Sequence, residues 1–181
     1  MPVDESQAKE YRNLYLRNQE HLMYSQPQRT EEFYTVDGQW RLLKDQRQAF
    51  AAGSAYTFGI FCDRDLVGRV ALSGVERGPF QNAHIGFFVD KSAQHRGIAT
   101  QAVRLAVDFG FNEARLHRID AAVMPGNLSS MRVLEKNGFQ VIGLSPRHLQ
   151  IAGGWRDHVL LAVTREIYAD RAEPPQQVVI G

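Results

Sequence analysis

Val89-Asp90-Lys91-Ser92-Ala93-Gln94-His95-Arg96-Gly97-Ile98-Ala99-Thr100 is the stretch on which the reading of this chain turns. Ahead of it, His84-Ile85-Gly86-Phe87-Phe88-Val89 is a strand. Behind it, Ala99, Ala102, Val103, Ala106, Val107 and Gly110 recur at helical spacing over residues 99–112. Where a strand hands over to a helix, the first backbone N–H groups have no helical partner and carry a partial positive charge. Phosphate binds readily there. Gly97 has no Cβ to hold a pyrophosphate off the backbone, small Ala99 continues the close approach, and Arg96 offers a cation. The same residues also make an ordinary glycine-containing turn that binds nothing, and spacing leaves both readings open.

Outward from this stretch the chain alternates. Tyr56–Phe61 and Leu66–Leu72 flank the turn Asp63-Arg64-Asp65 and read as a β-hairpin. Ile119–Val123 is a short strand. Asn127 can cap a helix that ends near Asn137-Gly138, and Phe139–Leu144 and Val159–Val163 are the last strands. Before the hairpin, a helix is expected from Ser6 to Met23, carrying Leu14, Leu16, Leu22 and Met23 and stopped by Pro27. A second is expected from Asp37 to Ala52, with Trp40, Leu43 and Phe50 on one face and Gly53 as the stop. This order is an α/β layer fold in which helices cover a mixed sheet.

With 181 residues, 44% of them hydrophobic and 23% charged, the chain has the balance of one ordinary globular domain. A formal net charge of +1 supplies no global field for nucleic acid or a membrane surface. The single cysteine, Cys62, excludes an internal disulfide framework and a cysteine-based zinc site, and no metal is expected. No apolar run approaches the ~20 residues of a membrane span, and Met1-Pro2-Val3-Asp4-Glu5 lacks a signal-peptide pattern. A cytoplasmic location follows as the expectation. Ala172-Glu173-Pro174-Pro175-Gln176-Gln177 reads as a disordered end.

Gln94-x-x-Gly97-x-Ala99 resembles the coenzyme A pyrophosphate motif of the GNAT superfamily of N-acetyltransferases. Asn127-x-x-Ser130, followed by Val133-Leu134-Glu135-Lys136-Asn137-Gly138-Phe139, resembles that family's later helix-to-strand segment, one strand further on. Val75-Glu76-Arg77-Gly78-Pro79-Phe80 and Gly154-Trp155-Arg156-Asp157-His158-Val159-Leu160 are similar to its ribosomal-protein alanine N-acetyltransferase branch. The resemblance covers residues 8 to 168. It implies a three-layer α/β fold: a mixed, mostly antiparallel sheet with a splayed central parallel pair, and helices on both faces. Residues 1–168 would form the acetyl-CoA-dependent domain, and 169–181 a flexible tail. His84–Val89 would be the strand whose backbone bonds the pantetheine arm, through Phe87, Phe88 and Val89, and Ile119–Val123 the strand that parts from it. Gln94, His95, Arg96, Gly97, Ile98, Ala99 and Thr100, with Asn127 and Ser130, would complete the coenzyme A site.

An α-amine with a pKa near ~8 is largely protonated at neutral pH, so a general base helps. His84 opens the cofactor-binding strand, at or near a place where the family often has glutamate, and is one candidate; Glu76, in the preceding loop, is the second. The plain alternatives are a solvent-facing strand histidine and a solvated loop charge. The branch resemblance places Ser130 near the coenzyme sulfur as proton donor to the leaving thiolate; the local alternative is that Asn127 caps the helix and Ser130 fills its first turn. Trp155 and Asp157, with His158 beside them, would lie near the acceptor, an aromatic and an acid suited to a charged N-terminus; Trp155 packed on the sheet is the alternative. Cys62 is expected to be buried, inert and away from both motifs. GNAT domains usually open with a strand, whereas here a helix begins within a few residues of Met1, so sheet-edge protection and a monomeric or homodimeric state stay open. Three functions compete: acetylation of a protein N-terminus, most simply a ribosomal-protein alanine; acetylation of a small amine such as a polyamine, amino acid or antibiotic; and a coenzyme A-binding sensor without turnover.

Overall fold

Residues 1–170 are described by a computed structural model. The expected disorder of Ala172–Gln177 lies outside the described residues, and Ala169 and Asp170 still belong to a helix end rather than to a tail.

Six strands form one sheet: β1 (Tyr56–Cys62), β2 (Asp65–Glu76), β3 (Asn82–Val89), β4 (Arg118–Val123), β5 (Gln140–Ile151) and β6 (Gly154–Thr164), in the order β1-β2-β3-β4-β6-β5. Every neighbouring pair is antiparallel except β3 and β4. A parallel pair needs a long crossover, and helix α4 (Ile98–Asn112) supplies it. The parallel pairing is short: Asn82 with Arg118, Ala83 with Ile119, His84 with Asp120. Beyond His84 the two strands part, as the resemblance implied.

Two apolar clusters lie on the sheet. One joins it to α4, whose Ala102, Val103, Ala106, Val107 and Phe111 are buried, and to Leu134 of α5 (Leu128–Lys136). Gly110 permits this approach, since a Cβ there would stand 2.8 Å from Ile119 Cδ1. The other gathers Tyr11, Leu14 and Tyr15 of α1 (Ala8–Arg17), Leu22 of α2 (Gln19–Leu22) and Leu43 of α3 (Val36–Ala51) around Leu66 and Phe88. Burying each such aliphatic side chain contributes ~1.5–3 kcal/mol.

The single N-terminal helix expected from the pattern is broken at Asn18, which is 1% exposed. Its Nδ2 donates to the Leu14 carbonyl (2.9 Å) and its Oδ1 accepts from the Lys91 amide (2.9 Å). A side chain that offers the backbone alternative bonds ends a helix, and here it also ties the break to the turn after β3. Leu14 and Leu22 are buried, whereas Leu16 and Met23 are exposed. In α3 the buried stripe runs through Gln39 and Leu43 rather than Trp40, which is 43% exposed. Gln39 tolerates burial because its Nε2 donates to the Phe33 carbonyl (2.6 Å).

The residues ahead of α1 meet the edge of the sheet through a single bridge. Val3 N donates to Thr57 O, Gly59 N donates to Met1 O, and Pro2 pairs with Phe58 on the outer side of β1. At the opposite edge, β5 runs to Ile151, well past the expected Leu144. A bulge between Ser145 and Leu149 interrupts its pairing, and Pro146, which lacks an N–H, is accommodated there. The short α6 (Arg165–Ala169) has no apolar period to announce it. No helix among the described residues is long and apolar enough to cross a membrane.

Candidate active site

The turn after β3 is rigidly built. Asp90, 4% exposed, accepts from the Ser92 amide (3.0 Å) and hydroxyl (2.9 Å) and pairs with Arg17, whose guanidinium also donates to the Leu66 carbonyl (2.8 Å). Burial alone would raise the Asp90 pKa. The Ser92 amide, Arg17, the Ser92 hydroxyl and Asn18 outweigh it and hold the carboxyl down at about 2. After this anchor the backbone turns left-handed at His95 (φ 62°) and again at Gly97 (φ 77°).

Helix α4 then starts at Ile98, and its first bond runs from Gln101 N to Gly97 O (3.1 Å). The amides of Ile98, Ala99 and Thr100 precede that bond, and no side chain caps them. A Cβ built on Gly97 would meet nothing within 4 Å. An uncapped helix N-terminus beside open space fits a diphosphate. Asn127 is spent differently: its Oδ1 accepts from the Ser130 amide (3.1 Å) and the Ser129 hydroxyl (3.0 Å), capping α5.

Both helix starts open on one cleft of about 1380 Å³, which runs along the gap between β3 and β4. Phe87, Phe88 and Val89 line it, as do Gln94, His95, Gly97, Ile98, Ala99, Thr100, Asn127 and Ser130. Trp155 and Asp157 stand in its wall with His158. Trp155 does not pack on the sheet: it is 62% exposed. One oxygen of Asp157 accepts from the Arg147 amide (2.8 Å), which stabilises the β5 bulge.

Three expected site residues are elsewhere. Arg96 is not in the cleft wall; its guanidinium reaches Cys62 Sγ at 3.6 Å, because the left-handed turn at His95 swings it toward β1. Cys62 is therefore half-buried and beside the loop, not remote from it. His84 is exposed where β3 still pairs with β4, ahead of the gap, and does not line the cleft. Glu76 also lies outside the cleft, exposed at the end of β2 rather than in a loop. Cleft residues that the sequence did not announce are His21, Arg29, Arg69, Arg132 and Lys136. They come from four separate segments, with Arg132 and Lys136 one turn apart on α5, and folding collects the four. No group of three or more histidine, cysteine or acidic side chains placed to hold a metal ion occurs among the described residues.

A mostly antiparallel sheet parted at one parallel pair, with a phosphate-binding helix start at the gap, defines a coenzyme A-dependent acyltransferase. Residues 2–140 match the family described as Acetyltransferase (GNAT) domain, and the chain belongs to that family. It is 42% identical over 164 residues to the probable N-acetyltransferase YjcK of Bacillus subtilis (strain 168), covering 90% of this chain and 91% of that one. The ribosomal-protein-S5-alanine acetyltransferase of Vibrio fischeri superposes with a TM-score of 0.88 at 31% identity, covering 96% of this chain and 94% of that one. Mycobacterium smegmatis RimJ, solved in complex with CoA-disulfide, superposes with a TM-score of 0.87 at 33% identity over 91% of this chain and 80% of that one. The protein is an acetyl-CoA-dependent N-acetyltransferase. When bound, acetyl-CoA supplies a thioester carbonyl open to attack by an amine.

Proposed function

We propose that this enzyme acetylates a protein N-terminus, with the terminal alanine of a ribosomal protein as the simplest acceptor, in the cytoplasm. The observation that carries this reading is the charge of the cleft wall. Arg29, Arg69, Arg132, Lys136 and Arg156 line it, against Asp157 alone among the acids. A polyamine brings several positive charges and needs several carboxylates; a peptide N-terminus brings one. The likeness to the Vibrio fischeri S5-alanine enzyme supports the same acceptor.

In this reading the free amides of residues 98–100 hold the pyrophosphate and the backbone of Phe87–Val89 holds the pantetheine arm. Ser130, whose side chain is half-buried in the cleft, protonates the leaving thiolate. Asp157 retains a second oxygen for the acceptor ammonium, and exposed Trp155 receives the following residue. Incubating the enzyme and acetyl-CoA with ribosomal proteins from an acetylation-deficient strain, then reading intact masses, tests this. One or a few proteins should each gain a single acetyl group on an N-terminal alanine. Turnover confined to spermidine, free amino acids or an aminoglycoside would replace the protein acceptor with a small amine.

A further inference from the structure

We infer that His158 is the general base of the acetyl transfer, with His148 beside it as the exit for the proton; this rests on the acetyl-transfer reading of the same cleft. His158 lies on β6 one residue beyond the last β4–β6 pair, Val123 with Val159, so it stands where β4 gives out at the mouth of the gap. It is 3% exposed and lines the cleft.

Its tautomer is set by a neighbour that can only accept. Nδ1 lies 3.0 Å from the Arg156 carbonyl oxygen, so Nδ1 carries the hydrogen and donates it. The neutral ring is left with its lone pair on Nε2, which has no protein partner among the described residues. A base needs that arrangement: a fixed ring, a defined tautomer and a free acceptor nitrogen in the substrate cleft.

The bulge in β5 carries His148 over this ring. The two imidazole centroids are 5.6 Å apart, and Ser145 Oγ lies 3.1 Å from His148 Nδ1. His148 is exposed, so the pair joins the cleft to solvent. His84 of β3 acts electrostatically on His148, and the other charged groups of the cleft are His21, Arg29, Arg69, His95, Arg132, Lys136, Arg156 and Asp157.

The neutral amine forms a C–N bond to the acetyl carbonyl carbon, and the C–S bond breaks. The proton shed by the amine nitrogen passes to His158 Nε2 and leaves to water through His148. The thiolate takes a proton from Ser130, which is replenished from water. One amide and one thiol result, with no net change of protons counted from the neutral amine; an acceptor that arrives as the ammonium first gives up one proton to water.

The test uses the full-length enzyme, acetyl-CoA and a peptide beginning with alanine, or whichever amine the acceptor survey identifies. In His158→Asn the amide nitrogen can keep the bond to Arg156 O, but nothing replaces Nε2. We expect kcat/KM to fall by about 100-fold or more, coenzyme A affinity by calorimetry to stay within about threefold of wild type, and imidazole to restore part of the rate. His158→Gln should behave alike. Nitrogen-15 spectra of ring-labelled wild type should show the Nδ1–H tautomer. Wild-type rates in either variant, an Nε2–H tautomer, or loss of coenzyme A binding in both variants would overturn the assignment. If the variants lost turnover but the wild type acetylated only a small amine, the base would stand and the protein acceptor would fall.

Discussion

Asn137 Nδ2, at the end of α5, donates to the carbonyl of Thr100 in the first turn of α4 across 3.2 Å, and to Val133 O across 2.8 Å. The side chain is 6% exposed, so these bonds are sheltered from water. They tie the C-terminal end of α5 to the first turn of α4, the helix start that faces the cleft. Asn137→Ala should lower stability by about 1–3 kcal/mol and weaken coenzyme A binding severalfold. Denaturant melts and calorimetry read the two effects. A variant as stable as wild type would show that the link is idle.

Gly97 combines a left-handed φ of 77° with open space where its Cβ would be. Gly97→Ala therefore costs about 1–2 kcal/mol of backbone strain with a modest loss of cofactor affinity. Gly97→Trp fills the phosphate cradle and should abolish coenzyme A binding while thermal melts still report a folded protein. Calorimetric binding unchanged in the tryptophan variant would remove the phosphate from this turn.

Asp90 links acid stability to the cofactor turn. Its pKa is lowered in the fold, so its contribution is complete above the ordinary carboxylate value of 3.8 and is lost as pH falls through about 2. The amount at neutral pH is on the order of 2 kcal/mol. Arg17→Met removes the paired guanidinium, so the Asp90 pKa should rise and stability should begin to fall at a higher pH. Denaturant midpoints from pH 7 downward, compared with wild type, check the sign.

Trp155 makes no core contact and is 62% exposed. Trp155→Ala should leave the melting temperature within about 2 °C, since surface changes stay within about 0.5 kcal/mol. The acceptor KM should rise severalfold while the acetyl-CoA KM holds. Equal changes in both constants would argue against an acceptor role.

His148 titrates below its ordinary value, first because burial disfavours the cation, then because His158 and His84 repel it. Its neutral form is favoured in the fold, so protonating it as pH falls opposes folding. His158→Asn removes one repelling neighbour and should raise the His148 pKa. Proton NMR titration of the ring measures it; a pKa that stayed put or fell would separate the two rings electrostatically.

The strand-to-helix turn was legible because it is local. Val89 to Thr100 holds the strand end, the glycine and the helix period within twelve neighbouring residues, and the amide geometry follows from those. Asn127 as cap of α5 was legible for the same reason. Where His84 falls relative to the gap was not legible, because its position on the cofactor strand says nothing of where that strand leaves β4. The direction of Arg96 was not legible either, because one left-handed residue before it turns the side chain toward Cys62.

By itself the sequence determined the order of elements from β1 to β6, the two helix starts and the family they define, since each depends on contacts a few residues apart. The tertiary structure alone decided which side chains share the cleft. Arg29, Arg69, Arg132, Arg156 and His158 are brought to its wall, and His148 to the side of His158, by strand register, by a break at Asn18 and by a bulge in β5. Pairing across a sheet is fixed by the balance of many distant contacts, and no short stretch of chain carries that information.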